Sequence, residues 1–404
     1  KLVADMHTYA NYYCAMALGH EKDKELALAF KDLRDLKVDV SYPLLLELYH
    51  DYSTGVLDKK AFEQILRLIE SYVFRRVICS IPTNSLNKTF ATFGRALRKE
   101  KYLESVMAQF LTLPSYRRFP GDEEFIREIK MRDIYNLRTR SYFLRRLENF
   151  ERKERVYVDE YTIEHIMPQN ENLSQAWQSA LGEKWQTVQE TWLHTLGNLT
   201  LTGYNSEYSD HPFNEKRDMD GGFKQSPLKL NQGLGVLRSW NEFEIKKRAK
   251  RLAGEAVQAW GAPKLSEEVL ATYKTKEKRP TTYTINDHHY LSKDAAMRPI
   301  FEAFRKEVLA LNQAVSEEFL KLYVAYKAET NFVDVVPQAN RLRLSLNMAF
   351  HEVDDPKGIC KDVSNLGRWG NGDVEVGLSS LEELPYILGL VRQALEKQMG
   401  NGEL

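Results

Sequence analysis

The sequence predicts an α+β protein with a mainly helical N-terminal domain, a mixed middle domain and a small α+β C-terminal domain. Three observations support this fold class. Apolar residues recur at helical spacing over the first 150 positions, runs rich in Val, Tyr, Thr and Ile begin near residue 155, and helix and strand signals alternate after residue 283. A length of 404 residues also corresponds to two or three domains rather than one.

The helical domain is assigned to residues 1–155, where strand-like alternation is scarce. Residues 60–78 show the helical spacing most clearly, with an apolar stripe formed by Phe62, Ile65, Leu66, Ile69 and Tyr72. Residues 123–149 repeat this style and predict a second long helical segment. We therefore expect a helical bundle that packs against the rest of the chain.

The middle domain is assigned to residues 156–260. Arg155–Ile166 is rich in strand-forming residues, and Leu199–Thr202 predicts a second short strand after a helical insert. Asn241, with Glu244 three residues later, has the spacing of a capping box and predicts the start of a long helix. Two strands and a closing helix are thus expected here.

Residues 261–282 contain two prolines and a basic cluster, and we interpret them as a linker. Residues 283–404 form the predicted C-terminal domain. Its signals, in order, are a helix at 295–311, strands at 332–336, 341–347 and 373–378, and a helix at 381–398. None of these elements carries an acid–base pair or a phosphate loop, so we expect an accessory role.

Composition excludes several classes of protein. Lys and Arg number 57, as do Asp and Glu, so the protein is not basic all over, although a local basic face is compatible with this balance. No apolar run is long enough for a membrane span. Three widely spaced cysteines argue against a disulfide scaffold and favour a cytoplasmic setting. The chain begins without Met or a signal peptide, and we expect it to be part of a longer protein.

Three short segments contain residues suited to phosphodiester hydrolysis. Glu164 and His165 close the first predicted strand, Asn198 precedes the second, and Asn205 lies before a helix that leads to Lys216. An imidazole can take a proton from water near neutral pH, and a hard divalent cation held by carboxylate or amide oxygens can neutralise phosphate oxygens. Each residue alone is more simply structural or a surface residue. The ordered combination is what favours chemistry.

Successive side chains of a strand point to opposite faces. Glu164 and His165 can therefore serve one site only if the strand bends or ends there, and Pro168 is consistent with such an ending.

The segments EHIMPQ, LGNLTLTGYN and SEYSDHPFNEKR resemble the HNH (ββα-metal) nuclease domain of GmrSD-type restriction endonucleases, which cleave modified DNA. The resemblance covers about residues 156–260. It implies a ββα-metal nuclease core in which His165 is the general base, Glu164 and Asn205 bind the metal, Asn198 braces the loop, and Lys216 faces the phosphate. The helical segment before this region, and the small module after it, also resemble parts of those proteins.

The resemblance further implies a Mg²⁺ or Mn²⁺ cofactor, double-stranded and modified DNA as substrate, and a nucleotide-hydrolysing N-terminal domain or subunit that this chain lacks. Two departures from the family pattern stand out. The insert between His165 and Asn198 is long and helical, which argues against a tight hairpin, and the zinc-binding cysteines of many HNH proteins are absent.

Basic residues are concentrated on both sides of these segments. Residues 126–155 contain ten basic and five acidic side chains, and the helix at 237–252 contains six basic and two acidic ones. We predict that this helix contacts DNA phosphates through Lys246, Lys247, Arg248 and Arg251. A solvated helical face would explain the same pattern.

The sequence thus predicts a metal-dependent DNA endonuclease of a restriction or anti-phage system. Two alternatives stay open: a DNA-binding subunit with a degenerate nuclease fold, and a nuclease or toxin that acts on RNA.

Overall fold

The computed structural model describes residues 2–83, 85–273, 283–312, 314–328, 330–364 and 372–399. Helices predominate over strands, and the predicted α+β class is confirmed. None of the helices in this described part combines the length and apolar character that a membrane span needs. None of the three cysteines, which all lie within it, forms a disulfide bond.

The chain divides into two compact units. The first comprises Lys1–Ile81, Phe90–Leu111 and Phe119–Ser266, and the second comprises Pro82–Thr89, Thr112–Arg118 and Glu267–Leu404. The predicted helical and nuclease regions therefore share most of one unit.

In the described residues before the first strand, the named elements are α-helices and short 3₁₀ helices joined by loops. Their bounds are α1 Leu2–Ala17, α2 Lys24–Asp35, α3 Tyr42–Ser53, α4 Lys59–Ile78, α5 Ser85–Phe93, α6 Tyr102–Leu111, α7 Asp122–Met131 and α8 Arg140–Glu148. The α4 helix matches the prediction at residues 60–78, and the side chain of Asp58 caps it by accepting from the Ala61 N–H.

The segment predicted as helical at 123–149 is interrupted between α7 and α8. Within the interruption, Asp133 accepts hydrogen bonds from the backbone and the side chain of Asn136. This Asx-type turn competes with helical hydrogen bonding and ends the helical run. The resulting loop at residues 132–139 borders the candidate site described below.

A two-stranded antiparallel sheet forms the middle of the first unit. Strand β1 is Thr162–His165 and β2 is Leu199–Thr202, and their register pairs His165 with Leu199. The second strand lies where the sequence predicts it, whereas the first is shorter than predicted because residues 155–161 have no ladder partner in the described chain. The helical insert does not prevent this pairing. It forms α9 Gln175–Leu181 and α10 Trp185–Trp192.

Three helices follow β2: α11 Asn205–Tyr208, α12 Phe213–Asp218 and α13 Glu242–Ala259. The side chain of Asn241 accepts from the Glu244 N–H, as the predicted cap requires. Gly197, before β2, packs directly under α13. A Cβ atom at this position would lie 2.6 Å from the carbonyl oxygen of Ile245, so the close approach of α13 requires glycine.

The elements of the second unit after residue 266 are α14 Glu267–Ala271, α15 Arg298–Ala310, β3 Ser316–Phe319, β4 Val324–Lys327, β5 Asn331–Pro337, β6 Leu342–Leu346, β7 Lys361–Asp362, β8 Val374–Leu378 and α16 Leu384–Met399. The strands form an antiparallel sheet in the order β3-β4-β5-β6-β8-β7. The two helices α15 and α16 contribute to the hydrophobic core that this sheet builds. Of the predicted linker, residues 274–282 lie outside the described residues.

Candidate active site in the first unit

The end of β1 brings the predicted segments together. The chain leaves β1 at His165, and the backbone N–H of Ile166 donates to the carbonyl of Asn198 at 3.0 Å. Around this point lie the turn before β2, helix α12 and the end of α10. The site is therefore assembled from residues that are distant along the chain.

Asn198 ties the exit of β1 to the turn that leads into β2. Its amide group donates to the carbonyls of Met167 and Leu193, both at 3.0 Å. Its oxygen accepts from the Met167 N–H at 2.8 Å and from the indole of Trp240 at 3.1 Å. With every hydrogen-bonding position of its amide occupied and the residue fully buried, Asn198 acts on the backbone and not on a substrate.

Glu164 and Lys216 form a buried ion pair. The Lys216 ammonium lies 2.6 Å from the Glu164 carboxylate and also donates to the carbonyls of His165 and Ile166. Burial raises the pKa of Glu164 to about 7 against the attraction of Lys216. Burial likewise lowers the pKa of Lys216. Each group costs free energy to bury, and pairing offsets part of that cost.

This pair changes two predictions. The Lys216 side chain is fully buried and its ammonium donates to three protein oxygens, so it does not face a phosphate. The carboxylate of Glu164 is bound to a cation already, which opposes a second, divalent one. In this geometry Glu164 and Lys216 fasten β1 to α12.

His165 points away from that pair, as the alternation of side chains along a strand requires. Its Nε2 lies 3.0 Å from Nδ1 of His194, and its ring meets Tyr135 edge-on with 4.5 Å between the ring centroids. Burial first, and then the nearby His194 and Lys216, lower the pKa of His165 to about 3. The imidazole is therefore neutral at pH 7 and is able to accept a proton.

Asn205, at the start of α11, holds that helix against β1. Its amide group donates to the Ile163 carbonyl at 2.9 Å and to the Thr162 hydroxyl at 3.1 Å. This leaves one amide oxygen as a candidate metal ligand. The described residues contain no group of three His, Cys, Asp or Glu side chains that could hold a metal ion. The residues predicted as ligands therefore do not form a complete set here.

Helix α13 divides the predicted DNA-binding residues into buried and exposed ones. Arg248 is buried, and its guanidinium donates to the carbonyls of Leu196, Gly197, Leu199 and Leu230. The prediction that it contacts DNA is thus wrong, because its guanidinium is used to hold the turn before β2.

The other three side chains of this set lie further out. Lys246 and Lys247 are exposed and lie near Glu242 and Glu244, and Arg251 pairs with Glu255 at 2.7 Å. These side chains stay available as the predicted basic surface, although each has an acidic neighbour.

The site also includes residues that the sequence does not single out. Tyr135 lies in the loop after α7, and its ring stacks on His194 with an interplanar angle of 12°. Arg140, which is exposed, lies over the same tyrosine at 5.2 Å and donates to its carbonyl. The basic character of residues 126–155 was the one signal that pointed to this loop.

Two family models match separate parts of the chain. Residues 119–255 match the family model of the C-terminal domain of GmrSD restriction endonucleases, and residues 286–398 match a domain of unknown function, DUF5655. A Haemophilus influenzae protein described as uncharacterized is 36% identical over 108 residues, which are 27% of this chain and 36% of that protein. The match thus spans little more than a third of the relative. No solved structure matches the chain significantly.

The first match begins at residue 119, so it includes α7, α8 and the loop that carries Tyr135. The predicted resemblance to GmrSD-type restriction endonucleases is confirmed for residues 119–255, which form a domain similar to the C-terminal domain of those enzymes.

Proposed function

We propose that this chain is an HNH-type endonuclease that hydrolyses phosphodiester bonds of foreign DNA, with His165 as the general base. The observation that carries the proposal is the position of His165: a neutral imidazole at the end of β1, inside the segment that matches restriction endonucleases. Such a ring can remove a proton from water while the water oxygen attacks phosphorus and the leaving oxygen departs.

A bound phosphodiester favours this chemistry electrostatically. Its negative charge stabilises the imidazolium and raises the pKa of His165 towards the range in which a general base is effective. Arg140, exposed beside Tyr135, is a candidate to balance phosphate charge. The exposed Lys246 and Lys247 supply a further contact for the DNA backbone, without information on base sequence.

The resemblance to HNH nucleases adds a divalent cation, Mg²⁺ or Mn²⁺, to this proposal. Glu164 is paired with Lys216 and Asn205 offers a single oxygen, so these two side chains do not by themselves complete a site for the ion. Preference for modified DNA and coupling to a nucleotide-hydrolysing domain or subunit are parts of the proposal that rest on the resemblance alone. Action in the cytoplasm is proposed from the three widely spaced cysteines.

The test is cleavage of modified and unmodified duplex DNA by the whole chain, with Mg²⁺, with Mn²⁺ and with a chelator. We expect cleavage that the chelator abolishes. His165→Ala should lower its rate by about 10²–10⁴-fold, the usual contribution of a general base. His351→Ala, which changes an exposed histidine of the second unit, is the matched control and should cleave as the wild type does.

Equal rates for His165→Ala and the wild type would exclude His165 as the base. DNA binding without cleavage, by the wild type in every condition, would favour the degenerate DNA-binding subunit. Cleavage confined to RNA substrates would favour the toxin alternative.

A further inference from the structure

His194 is held beside His165 by the backbone of the loop that precedes α8. The carbonyl of His194 accepts from the N–H groups of Ile134 and Tyr135, at 2.8 and 3.3 Å. The next residue, Thr195, forms an antiparallel bridge with Asp133. Ring stacking between Tyr135 and His194 fixes the plane of the imidazole, with 5.2 Å between the centroids. His194 is therefore constrained at its backbone and at its ring.

The contact between the two histidines involves one particular nitrogen of each ring. Nδ1 of His194 lies 3.0 Å from Nε2 of His165, which is a hydrogen-bond distance. A neutral imidazole has one N–H and one nitrogen with a lone pair, so one ring donates and the other accepts. Which ring donates determines what the second nitrogen of His165 can do.

The nitrogen of His165 left to meet water is Nδ1, because Nε2 is engaged by His194. Nδ1 can take a proton only if it carries the lone pair, and in a neutral ring this places the hydrogen on Nε2. Nε2 must then donate, and Nδ1 of His194 must accept. If His194 donated instead, the hydrogen of His165 would lie on Nδ1 and the ring could not act as a base.

We propose that His194 is a positioning residue that accepts the Nε2–H of His165 and so keeps Nδ1 of His165 free to take the proton from water. The proposal rests on the proposed function and deepens it. A hydrogen-bond acceptor behind a catalytic histidine orients the ring and selects its tautomer, as the aspartate of a Ser-His-Asp triad does. Here the acceptor is a ring nitrogen and not a carboxylate, so it selects the tautomer without adding a negative charge.

Two substitutions in the whole chain separate the hydrogen bond from the ring stacking. His194→Phe keeps an aromatic ring for Tyr135 and removes the nitrogen. His194→Asn removes the ring and keeps an acceptor, because the asparagine oxygen can occupy the position of Nδ1. His211→Asn is the control, since His211 is an exposed histidine paired with Glu215 at 2.8 Å.

Single-turnover cleavage is the first measurement. We expect His194→Phe to lower kcat by about 10²-fold, less than the largest losses on removing the base itself, with KM little changed because His194 is proposed to act through His165. His194→Asn should restore the rate to within about tenfold of the wild type. His211→Asn should cleave at the wild-type rate.

Tautomer state is the second measurement and does not depend on activity. Long-range ¹H–¹⁵N spectra of histidine-labelled protein report which nitrogen carries the hydrogen, and His165→Gln identifies the His165 signals among the nine histidines. We expect the Nε2–H form of His165 in the wild type and in His194→Asn, and loss of that preference in His194→Phe. Should His194→Phe fail to fold, His194→Gln repeats the test, because its amide corresponds to Nε2 and not to Nδ1.

Two results would overturn the proposal: a wild-type His165 that carries its hydrogen on Nδ1, or wild-type kcat and tautomer in His194→Phe. A wild type that cleaves no nucleic acid would defeat the proposed function instead, and the spectra would still decide whether His194 sets the tautomer of His165.

Discussion

At the scale of single residues, the site is built from pairs of side chains with distinct tasks. Glu164 and His165 are neighbours in sequence, yet the Glu164 carboxylate contacts Lys216 and the His165 ring contacts His194. Successive side chains of a strand point to opposite faces, so Glu164 on one face of β1 binds α12 through Lys216, and the candidate base His165 lies on the other face. The adjacency of an acid and a histidine in sequence therefore does not imply a shared metal.

The Glu164–Lys216 pair gives a prediction at this scale. Replacing one partner leaves the other buried without a counter-charge, and we expect Glu164→Met or Lys216→Met to lower the free energy of unfolding by about 3–5 kcal/mol. The double variant should lose less than the sum of the single losses, because both charges are gone. Urea denaturation of the four proteins measures this coupling. If the losses in free energy of unfolding add up in the double variant, and if high Mg²⁺ restores cleavage by Glu164→Ala, Glu164 would instead be identified as a metal ligand.

At the scale of elements, α13 has a structural face and an exposed face. Arg248 on the inner face donates to three carbonyls around the turn before β2 and to that of Leu230, and Ile245 packs against Gly197. Lys246 and Lys247 lie on the outer face. A helix with strong positive charge in sequence thus presents only part of that charge to a nucleic acid.

The two faces of α13 should respond differently to substitution. Lys246→Gln with Lys247→Gln should weaken DNA binding for all sequences alike and make the slope of log K against log salt shallower by up to about 2, since each phosphate contact contributes about 0.9. Arg248→Met should lower the free energy of unfolding, on the order of 3 kcal/mol, because carbonyls lose their buried donor. Binding titrations at several salt concentrations and denaturation curves measure the two effects. An unchanged salt slope would make the outer face of α13 a solvated surface.

At the scale of the whole molecule, the described residues of the candidate site all belong to the first unit. The second unit is a sheet with its own hydrophobic core, and it matches a domain of unknown function. We expect a chain that ends at Tyr273 to keep metal-dependent cleavage of unmodified DNA and to change its affinity or its preference for modified DNA. Cleavage by truncated and whole proteins on both substrates measures this. A truncated protein that is folded but inactive would show that the second unit completes the active site.

The elements that sequence predicts well are those with local signals. The cap at Asn241 and the strand Leu199–Thr202 depend on residues within a few positions of each other, and both lie where predicted. The contacts of Tyr135, His194 and Arg248 depend on segments that meet only after folding, so no local pattern distinguishes a buried arginine in α13 from its exposed neighbours. The polar strand Ser316–Phe319 was missed for a related reason: it lacks the apolar alternation that marks a strand.

The hydrogen bonds made by Asn198 and Arg248 also determine when the candidate site can fold during synthesis. Asn198 needs the indole of Trp240, and the turn before β2 needs the guanidinium of Arg248, both of which lie more than 40 residues further along the chain. A nascent polypeptide in which His165 has been synthesised, but α13 has not yet left the ribosome, lacks these hydrogen bonds. The candidate site is therefore held together only once translation has run past α13, and a chain that ends earlier lacks the bonds that fix the turn before β2.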